Sequence, residues 1–282
     1  MAKYTTADIK ALREKTGAGM LDVKKALEEA DGDAEKAIEI IRVKGLKGIA
    51  KREGRSATAG LIAAKVVEAT DGPGGQVGVL VEVNAETDFV AKNQKFIDFA
   101  AKVLDAAIDS GAETVEELAG VAAGGSTVKE LTDSMQAVIG EKIVVRRVGR
   151  LAAPRVETYL HRTNPDLPAQ VAVLVGTDEA AAEVAHDVAM HVAAYSPLYL
   201  TREDVPAETI AKERAIAEET TRAEGKPEKA IPKIVEGRLN GFFKENVLVD
   251  QAFAKDPKTT VGKVVEATGG ELTGFVRFRV GA

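Results

Sequence analysis

Residues 76–83, QVGVLVEV, are followed at once by residues 84–93, NAETDFVAKN. The first part is a run of aliphatic and β-branched residues, which is typical of a buried strand. The second part contains Asp and Asn, which begin helices, and an apolar helical pattern comes after it. The sequence therefore predicts a strand-to-helix turn with Phe89 in its middle.

Phe89 admits three interpretations. It lies seven residues before Phe96 and can share its helical stripe, which favours a core staple that packs the start of the helix onto the sheet. It can instead belong to a catalytic loop, or be a wedge that enters another protein. Asp88 suits the positive end of a helix in each case, so it does not decide between them.

The regions on either side of this turn complete an α+β unit. Residues 61–70, LIAAKVVEAT, precede the strand and are joined to it by the Gly- and Pro-rich residues 71–75, which predicts a β-hairpin. We then expect a helix over 89–109, another over 127–139, and further strand from residue 143 onward.

The same order of elements returns in the second half of the chain. Strands are predicted over 156–162 and 170–176, and a helix over 178–194. The sequence therefore predicts an α+β fold with two related subdomains, at 57–150 and 151–282.

Three short helices are predicted before these subdomains. Their start and stop signals are Thr5 with Asp8, Gly17, Asp31-Gly32, Asp33 and Gly45. We expect residues 1–46 to form a small three-helix module and 47–56 to form a basic linker. A bundle this small has a thin core, so such a module usually presents a face to a partner.

A second helical region interrupts the last subdomain. Residues 202–246 read as a helical hairpin that projects from it, with the turn at Gly225-Lys226-Pro227. Pro232 either begins a regular helix there or kinks it. A final strand follows, in which Val276, Phe278 and Val280 share one face.

Composition places the chain among ordinary globular proteins. Of its 282 residues, 45% are hydrophobic and 29% are charged, and there is no cysteine for a disulfide or a thiolate site. No apolar signal core is visible and no run approaches the roughly 18 residues that cross a bilayer, so we expect a cytoplasmic protein without membrane contact. The net charge of -6 makes nucleic acid an unfavourable main partner.

No catalytic or cofactor motif stands out. The histidines are His161, His186 and His191, and the last two lie too far around a predicted helix to share a metal. His191 lies in an apolar run, AMHVAA, which favours a partly buried imidazole with satisfied hydrogen bonds. Because the G-x-x-x-x-G-K-[ST] loop is absent, we expect no direct nucleotide binding. We expect no metal and no cofactor, and binding rather than covalent catalysis.

Several long segments, in order along the chain, resemble bacterial elongation factor Ts. They are LREKTGAGMLDVKKAL at 12–27, VNAETDFVAKN at 83–93, AMHVAA at 189–194, VEGRL at 235–239 and TGFVRFRVG at 273–281. The resemblance implies a guanine nucleotide exchange factor for the translational GTPase elongation factor Tu. It also implies that the first module is ubiquitin-associated-like and that the helical hairpin is a coiled-coil protrusion.

The resemblance assigns roles to particular residues as well. It places partner contacts near the Mg²⁺ site of the GTPase at Thr87, Asp88, Phe89 and Val90, and other partner contacts at His191, Arg13, Met20 and Leu21. Two other functions stay open. One is an RNA- or ribosome-associated adaptor that uses the six basic residues of segment 42–55, and the other is a folding partner that binds the GTPase without promoting exchange.

Overall fold

The computed structural model describes residues 4–16, 18–69 and 75–282, except for the side chains of residues 46, 47 and 50. The helices of these ranges are α1 (Thr6–Thr16), α2 (Met20–Glu29), α3 (Ala34–Arg52), α4 (Asp88–Ala91), α5 (Gln94–Ser110), α6 (Val115–Ala119), α7 (Val128–Ile139), α8 (Ala182–Tyr195), α9 (Ala207–Ala223), α10 (Ile231–Asn246) and α11 (Val261–Glu266). The strands are β1 (Ala59–Glu68), β2 (Gln76–Ala85), β3 (Ala122–Ala123), β4 (Ser126–Thr127), β5 (Ile143–Ala153), β6 (Arg155–His161), β7 (Val171–Thr177), β8 (Ala252–Phe253), β9 (Asp256–Thr260) and β10 (Leu272–Arg279). This mixture of helices and sheets confirms the predicted α+β class.

Helices α1 to α3 form a small bundle around an apolar core of their own. The predicted capping box is present, because the amide and hydroxyl of Thr5 donate to Asp8 Oδ2 at 2.7 and 2.8 Å. Asp33 caps α3, as predicted, by accepting hydrogen bonds from two following backbone amides. The stop predicted at Gly17 lies outside the described residues. The buried side chains of the bundle are Leu12, Ala18, Val23, Ala26, Leu27, Ala30, Ala37 and Ile41.

Helix α3 does not end at Gly45, so that prediction was wrong. It continues to Arg52, and residues 47–52 of the expected linker are helical. Gly45 serves close packing instead, since a Cβ built on it would lie 2.3 Å from the Cβ of Ala137 on α7. Arg52 Nη1 adds a hydrogen bond to the carbonyl of Gln136 at 3.2 Å. Packing against α7 thus offsets the roughly 1 kcal/mol that an interior glycine costs a helix.

The two predicted α+β units each contain a three-stranded antiparallel sheet. In the first sheet β2 lies between β1 and β5, and in the second β7 lies between β6 and β10. Both units therefore place their second strand in the middle and add a third strand after the intervening helices. The predicted hairpin corresponds to β1 and β2, although residues 71–74 of its turn lie outside the described part of the chain.

The two sheets pack face to face, and helices cover their outer faces. Between the sheets lies a cluster that contains Ile62, Leu80, Ala172, Leu174 and Phe278, with Val276 and Val280 packed against it. The last three of these confirm the shared face predicted for the final strand. On the outside, α5 and α7 cover the first sheet and α8 and α11 cover the second. The core is thus arranged as helix, sheet, sheet and helix layers.

The predicted helical hairpin is formed by α9 and α10. Their contact buries Ala217, Ile231, Val235 and Leu239, which recur at helical spacing. Pro232 lies in the first turn of α10, where its missing amide hydrogen costs nothing, and the helix continues to Asn246. Of the two effects predicted for Pro232, it therefore marks the start of a helix.

Candidate functional site

Phe89 points into solvent. Its residue surface is 77% exposed, the highest value among the large exposed apolar residues of the described chain. The interpretation of Phe89 as a core staple is therefore wrong. An isolated exposed apolar side chain needs no explanation, but this one lies at the tip of a turn whose other residues are held firmly.

The physical reason for this exposure is a break in the helix predicted over 89–109. The segment forms two helices, α4 and α5, and the break falls at Lys92 and Asn93. Asn93 caps α5 by accepting a hydrogen bond from the Lys95 amide at 2.9 Å. Because the helical phase is reset at this cap, Phe89 no longer shares a face with Phe96, which is fully buried.

Helix α4 is fixed from its inner side and from its start. Val90 and Ala91 are buried at 8% and 0% exposure, so they anchor the turn on the core. Thr87 is the N-cap residue, and its hydroxyl accepts a hydrogen bond from the Val90 amide at 3.4 Å. Asp88 and Phe89 are left on the outer side, with the Lys92 ammonium 5.0 Å from the centroid of the Phe89 ring.

Glu141 holds Thr87 from the segment that leads into β5, the strand paired with the end of β2. Its Oε2 accepts from the Thr87 amide at 3.0 Å, and its Oε1 accepts from the Thr87 hydroxyl at 2.7 Å. The two residues are 54 positions apart in the chain. Hydrogen bonds to a carboxylate are among the stronger ones in proteins, so this contact restrains the start of α4.

A second carboxylate fixes the residue before Thr87. Glu86 Oε1 accepts from the Lys142 amide at 2.6 Å, and both Glu86 oxygens lie 3.3 Å from Arg55 Nη1. The Lys142 ammonium donates to the carbonyls of Glu53 and Arg55 at 2.5 and 3.0 Å. This cluster joins the chain just after α3 to the turn that carries Phe89.

His191, in contrast, is buried with 0% exposure, more deeply than the partly buried position that its apolar surroundings favoured. Its Nδ1 accepts from the Ala254 amide at 3.1 Å, which leaves Nε2 as the donor to Gln251 Oε1 at 2.8 Å. The Gln251 amide is oriented in turn by its donation to the carbonyl of Glu245 at 2.7 Å. Burial lowers the pKa of the imidazole below its ordinary value of 6.5, against a smaller upward effect of Gln251. His191 is therefore neutral and protonated on Nε2.

The His191 ring stacks on Tyr195, one turn further along α8. Their centroids are 4.6 Å apart with an angle of 8° between the planes, and Tyr195 is 55% exposed. Leu198, just beyond the helix, is 64% exposed. The surface next to His191 thus consists of a tyrosine ring that the histidine supports from beneath.

Arg13, Met20 and Leu21 lie on the outside of the N-terminal bundle. Arg13 is exposed on α1, and Met20 and Leu21 begin α2 with 58% and 72% of their surface accessible. Val23 and Leu27 of the same helix are completely buried. The inner face of helix α2 is therefore apolar and buried, and Met20 and Leu21 form a second, exposed apolar patch at its start.

Comparison with known proteins bears on these surfaces. A family model described as "Elongation factor TS" matches residues 86–282. Proteins named elongation factor Ts from Beutenbergia cavernae, Micrococcus luteus and Paenarthrobacter aurescens are 68%, 62% and 61% identical to this chain. Each alignment covers 100% of both proteins. The chain belongs to the elongation factor Ts family. Its setting is therefore translation elongation in protein biosynthesis.

The eight residues that the resemblance to this family singled out are not brought together at one point. Thr87, Asp88, Phe89 and Val90 form a single tip, whereas His191 lies within the second unit and Arg13, Met20 and Leu21 lie on the N-terminal bundle. Across the described ranges, no group of three or more His, Asp or Glu side chains is placed to hold a metal ion. None of the helices in those ranges combines the length and apolarity of a bilayer span.

Sequence reasoning missed two residues of these surfaces, Glu141 and Tyr195. Glu141 follows Gly140, whose left-handed conformation (φ 83°) ends α7, and nothing local indicates its contact with Thr87. Tyr195 had a weaker signal. It lies four residues after His191, directly beyond the helix predicted over 178–194, and residues four apart on a helix meet on one face.

Proposed function

We propose that this protein is a guanine nucleotide exchange factor that binds the GDP form of elongation factor Tu in the cytoplasm and promotes GDP release. The observation that carries the proposal is the exposed Phe89 on a braced tip, in a chain of the elongation factor Ts family. An aromatic ring that is 77% exposed and held by buried neighbours is suited to enter a second protein.

The chemistry required is displacement rather than bond cleavage. A Mg²⁺ ion beside a nucleotide needs near-ideal octahedral oxygen geometry, so a small shift of the surrounding partner backbone costs it a ligand. Phe89 supplies the apolar bulk for such a shift, and Asp88 brings a negative charge to the same place. With Mg²⁺ loosened, the phosphate charge is less neutralised and GDP dissociates faster.

The exchange is a linked equilibrium in which no covalent bond changes. A factor that weakens GDP binding to its partner must itself bind the GDP form more weakly than the nucleotide-free form. The protein is then a catalyst of exchange and not an enzyme of covalent chemistry. GTP, present in excess, rebinds and releases the factor.

The other surfaces supply affinity in this proposal. Arg13, Met20 and Leu21 are exposed on the N-terminal bundle and supply a cation and apolar area for docking. His191 contributes by supporting Tyr195, because a residue with no exposed surface cannot itself touch a rigid partner. Both surfaces lie outside the tip that acts on the Mg²⁺ site.

The contacts of segment 42–55 disfavour the RNA-adaptor alternative. Lys44 forms an ion pair with Glu29, Arg52 donates to the carbonyl of Gln136, and Arg55 pairs with Glu86. Half of the six basic residues are thus used within the protein, which weakens any phosphate-binding stripe there.

The test is release of fluorescent GDP from elongation factor Tu of a matched species, chased with excess GDP. We expect the native chain to accelerate release strongly and Phe89→Ala to lose most of this acceleration while still binding, because only the wedge is removed. Leu160→Ala is the matched control, since Leu160 is also an exposed apolar residue, at 46%, and lies on β6. If the native chain binds without accelerating release, the protein is a folding partner and the exchange proposal is wrong.

A further inference from the structure

Helix α4 carries the proposed wedge on a single turn. It has four residues, and so short a helix is unstable by itself because nucleation fixes several residues for very few hydrogen bonds. Its direction must be imposed by the surroundings. Val90 and Ala91 fix the inner side, which leaves the start of the turn, where Asp88 and Phe89 lie, to be fixed by something else.

The two hydrogen bonds from Thr87 to Glu141 supply that restraint. The Thr87 hydroxyl has one proton and gives it to Glu141 Oε1 at 2.7 Å, so its lone pairs are left to accept from the Val90 amide at 3.4 Å. Glu141 Oε2 simultaneously takes the Thr87 amide at 3.0 Å. The carboxylate therefore fixes both the backbone and the side chain of the residue that caps α4.

Glu141 is itself in a fixed place. Gly140 turns the chain out of α7 in a left-handed conformation, and β5 begins two residues after Glu141. The adjacent Lys142 is tied to Glu86 at 2.6 Å through its amide and to the chain after α3 through its ammonium group. The restraint on α4 thus comes from a braced chain reversal and not from a mobile loop.

We propose that Glu141 is a positioning residue for nucleotide exchange, which holds α4 in the one orientation that aims Phe89 at the partner. The inference rests on the exchange function proposed above. If the wedge is ordered before it binds, no binding energy is lost to ordering it. That energy is then available to deform the nucleotide site. Glu141 touches neither the nucleotide nor its Mg²⁺ ion and acts only through Thr87.

The variant that tests this is Glu141→Ala, assayed by GDP release at increasing concentrations of the factor. We expect the maximal release rate to fall about tenfold, while the half-saturating concentration changes less than about threefold, because misplacement of a reacting group costs rate more than binding. Glu141→Gln keeps one acceptor oxygen and is expected to give an intermediate rate. Glu116→Ala removes an exposed carboxylate from α6 and is the matched control.

A double-mutant cycle with Phe89→Ala separates positioning from general destabilisation. If Glu141 acts through the wedge, Glu141→Ala will change the residual rate less than about twofold once Phe89 is already absent. A loss of the same size in both backgrounds would mean that Glu141 acts on overall structure, and the inference would be wrong. Thermal unfolding of each variant verifies that it is folded at the assay temperature.

Amide hydrogen exchange provides a readout without the partner. In Glu141→Ala, the Val90 and Ala91 amides, which bond to the Thr87 carbonyl at 3.2 Å, are expected to exchange faster than in the native chain. If Glu141→Ala changes neither the hydrogen exchange of these amides nor the rate of GDP release, the positioning role of Glu141 is wrong, and the exchange function is unaffected. If the native chain itself fails to accelerate GDP release, the exchange function is wrong and the positioning role falls with it.

Discussion

Two segments that carry the resemblance to elongation factor Ts place their residues in opposite ways. At α4, Phe89 is 77% exposed, and buried neighbours hold it in place. At α8, His191 is completely buried, and its neighbour Tyr195 is exposed instead. A segment that carries the resemblance therefore does not by itself show which of its residues reaches the surface.

The difference has a simple physical origin. Phe89 follows a cap that is bonded to Glu141 and precedes a second cap at Asn93, so the side of its short helix that carries Phe89 faces away from the core. His191 lies in the interior of a long helix whose inner face packs on the second sheet, and two hydrogen bonds satisfy its ring. Function at α4 is therefore expected to depend on the exposure of Phe89, and function at α8 on the burial of His191.

We expect His191→Ala to lower the free energy of unfolding far more than Phe89→Ala does. The change leaves the Ala254 amide and Gln251 Oε1 without a partner and opens a cavity, which together cost about 3 kcal/mol of unfolding free energy. Urea denaturation measures this loss. Phe89→Ala is the control and should change the unfolding free energy by less than about 0.5 kcal/mol, since it removes only exposed surface. Equal effects at the two sites would mean that one of these burial states is not present in solution.

A smaller effect is expected for Tyr195→Ala, which removes the exposed ring that stacks on His191. The ring is exposed, so its removal should weaken binding to elongation factor Tu about fivefold, roughly 1 kcal/mol, as for an aromatic contact of moderate strength. Binding is measured by titration calorimetry with the nucleotide-free partner. Tyr195→Phe keeps the stacking on His191 and is the matched control. Unchanged affinity in Tyr195→Ala would remove α8 from the docking surface.

Much of the fold could be predicted because its signals are local. Thr5, Asp33 and Pro232 lie at helix starts, where short-range hydrogen bonds or a missing amide decide the conformation. Alternating and continuous apolar runs identified the strands, and the repeated order of elements indicated two related units. Each of these signals depends on a few neighbouring residues.

The failures of prediction depend on contacts between distant segments. Gly45 reads as a helix stop, but the close approach of α7 makes a residue without a side chain necessary inside α3. The break between α4 and α5 is the exception, because it depends on a local cap at Asn93, whose side chain accepts from the Lys95 amide; the apolar period that runs through Asn93 predicted a continuous helix instead. The bond from Glu141 to Thr87 spans 54 positions and leaves no periodic trace.

The candidate site was predictable to a similar extent. The resemblance to the family pointed to Thr87 to Val90, and residue chemistry alone predicted a partly buried His191 with satisfied hydrogen bonds. The hydrogen bonds are present, and the burial is complete. The partner contacts themselves remain predictions, because they require a second protein. No local pattern indicated which residues hold the Phe89 tip and the His191 ring in place.

A still smaller effect is expected for the contribution of His191 to the pH dependence of stability. The folded pKa of His191 is lowered from 6.5, so between these two values the unfolded chain binds a proton that the folded chain does not. Stability is therefore full above pH 6.5 and decreases as the pH falls through that window towards the folded pKa. The decrease should be smaller than the cost of His191→Ala, because the proton disrupts only the bond from Ala254 and the cavity stays filled. Urea denaturation at several pH values measures it, and His191→Gln should abolish this component. If His191→Gln retains the whole pH dependence, the imidazole is not the buried neutral group described for α8.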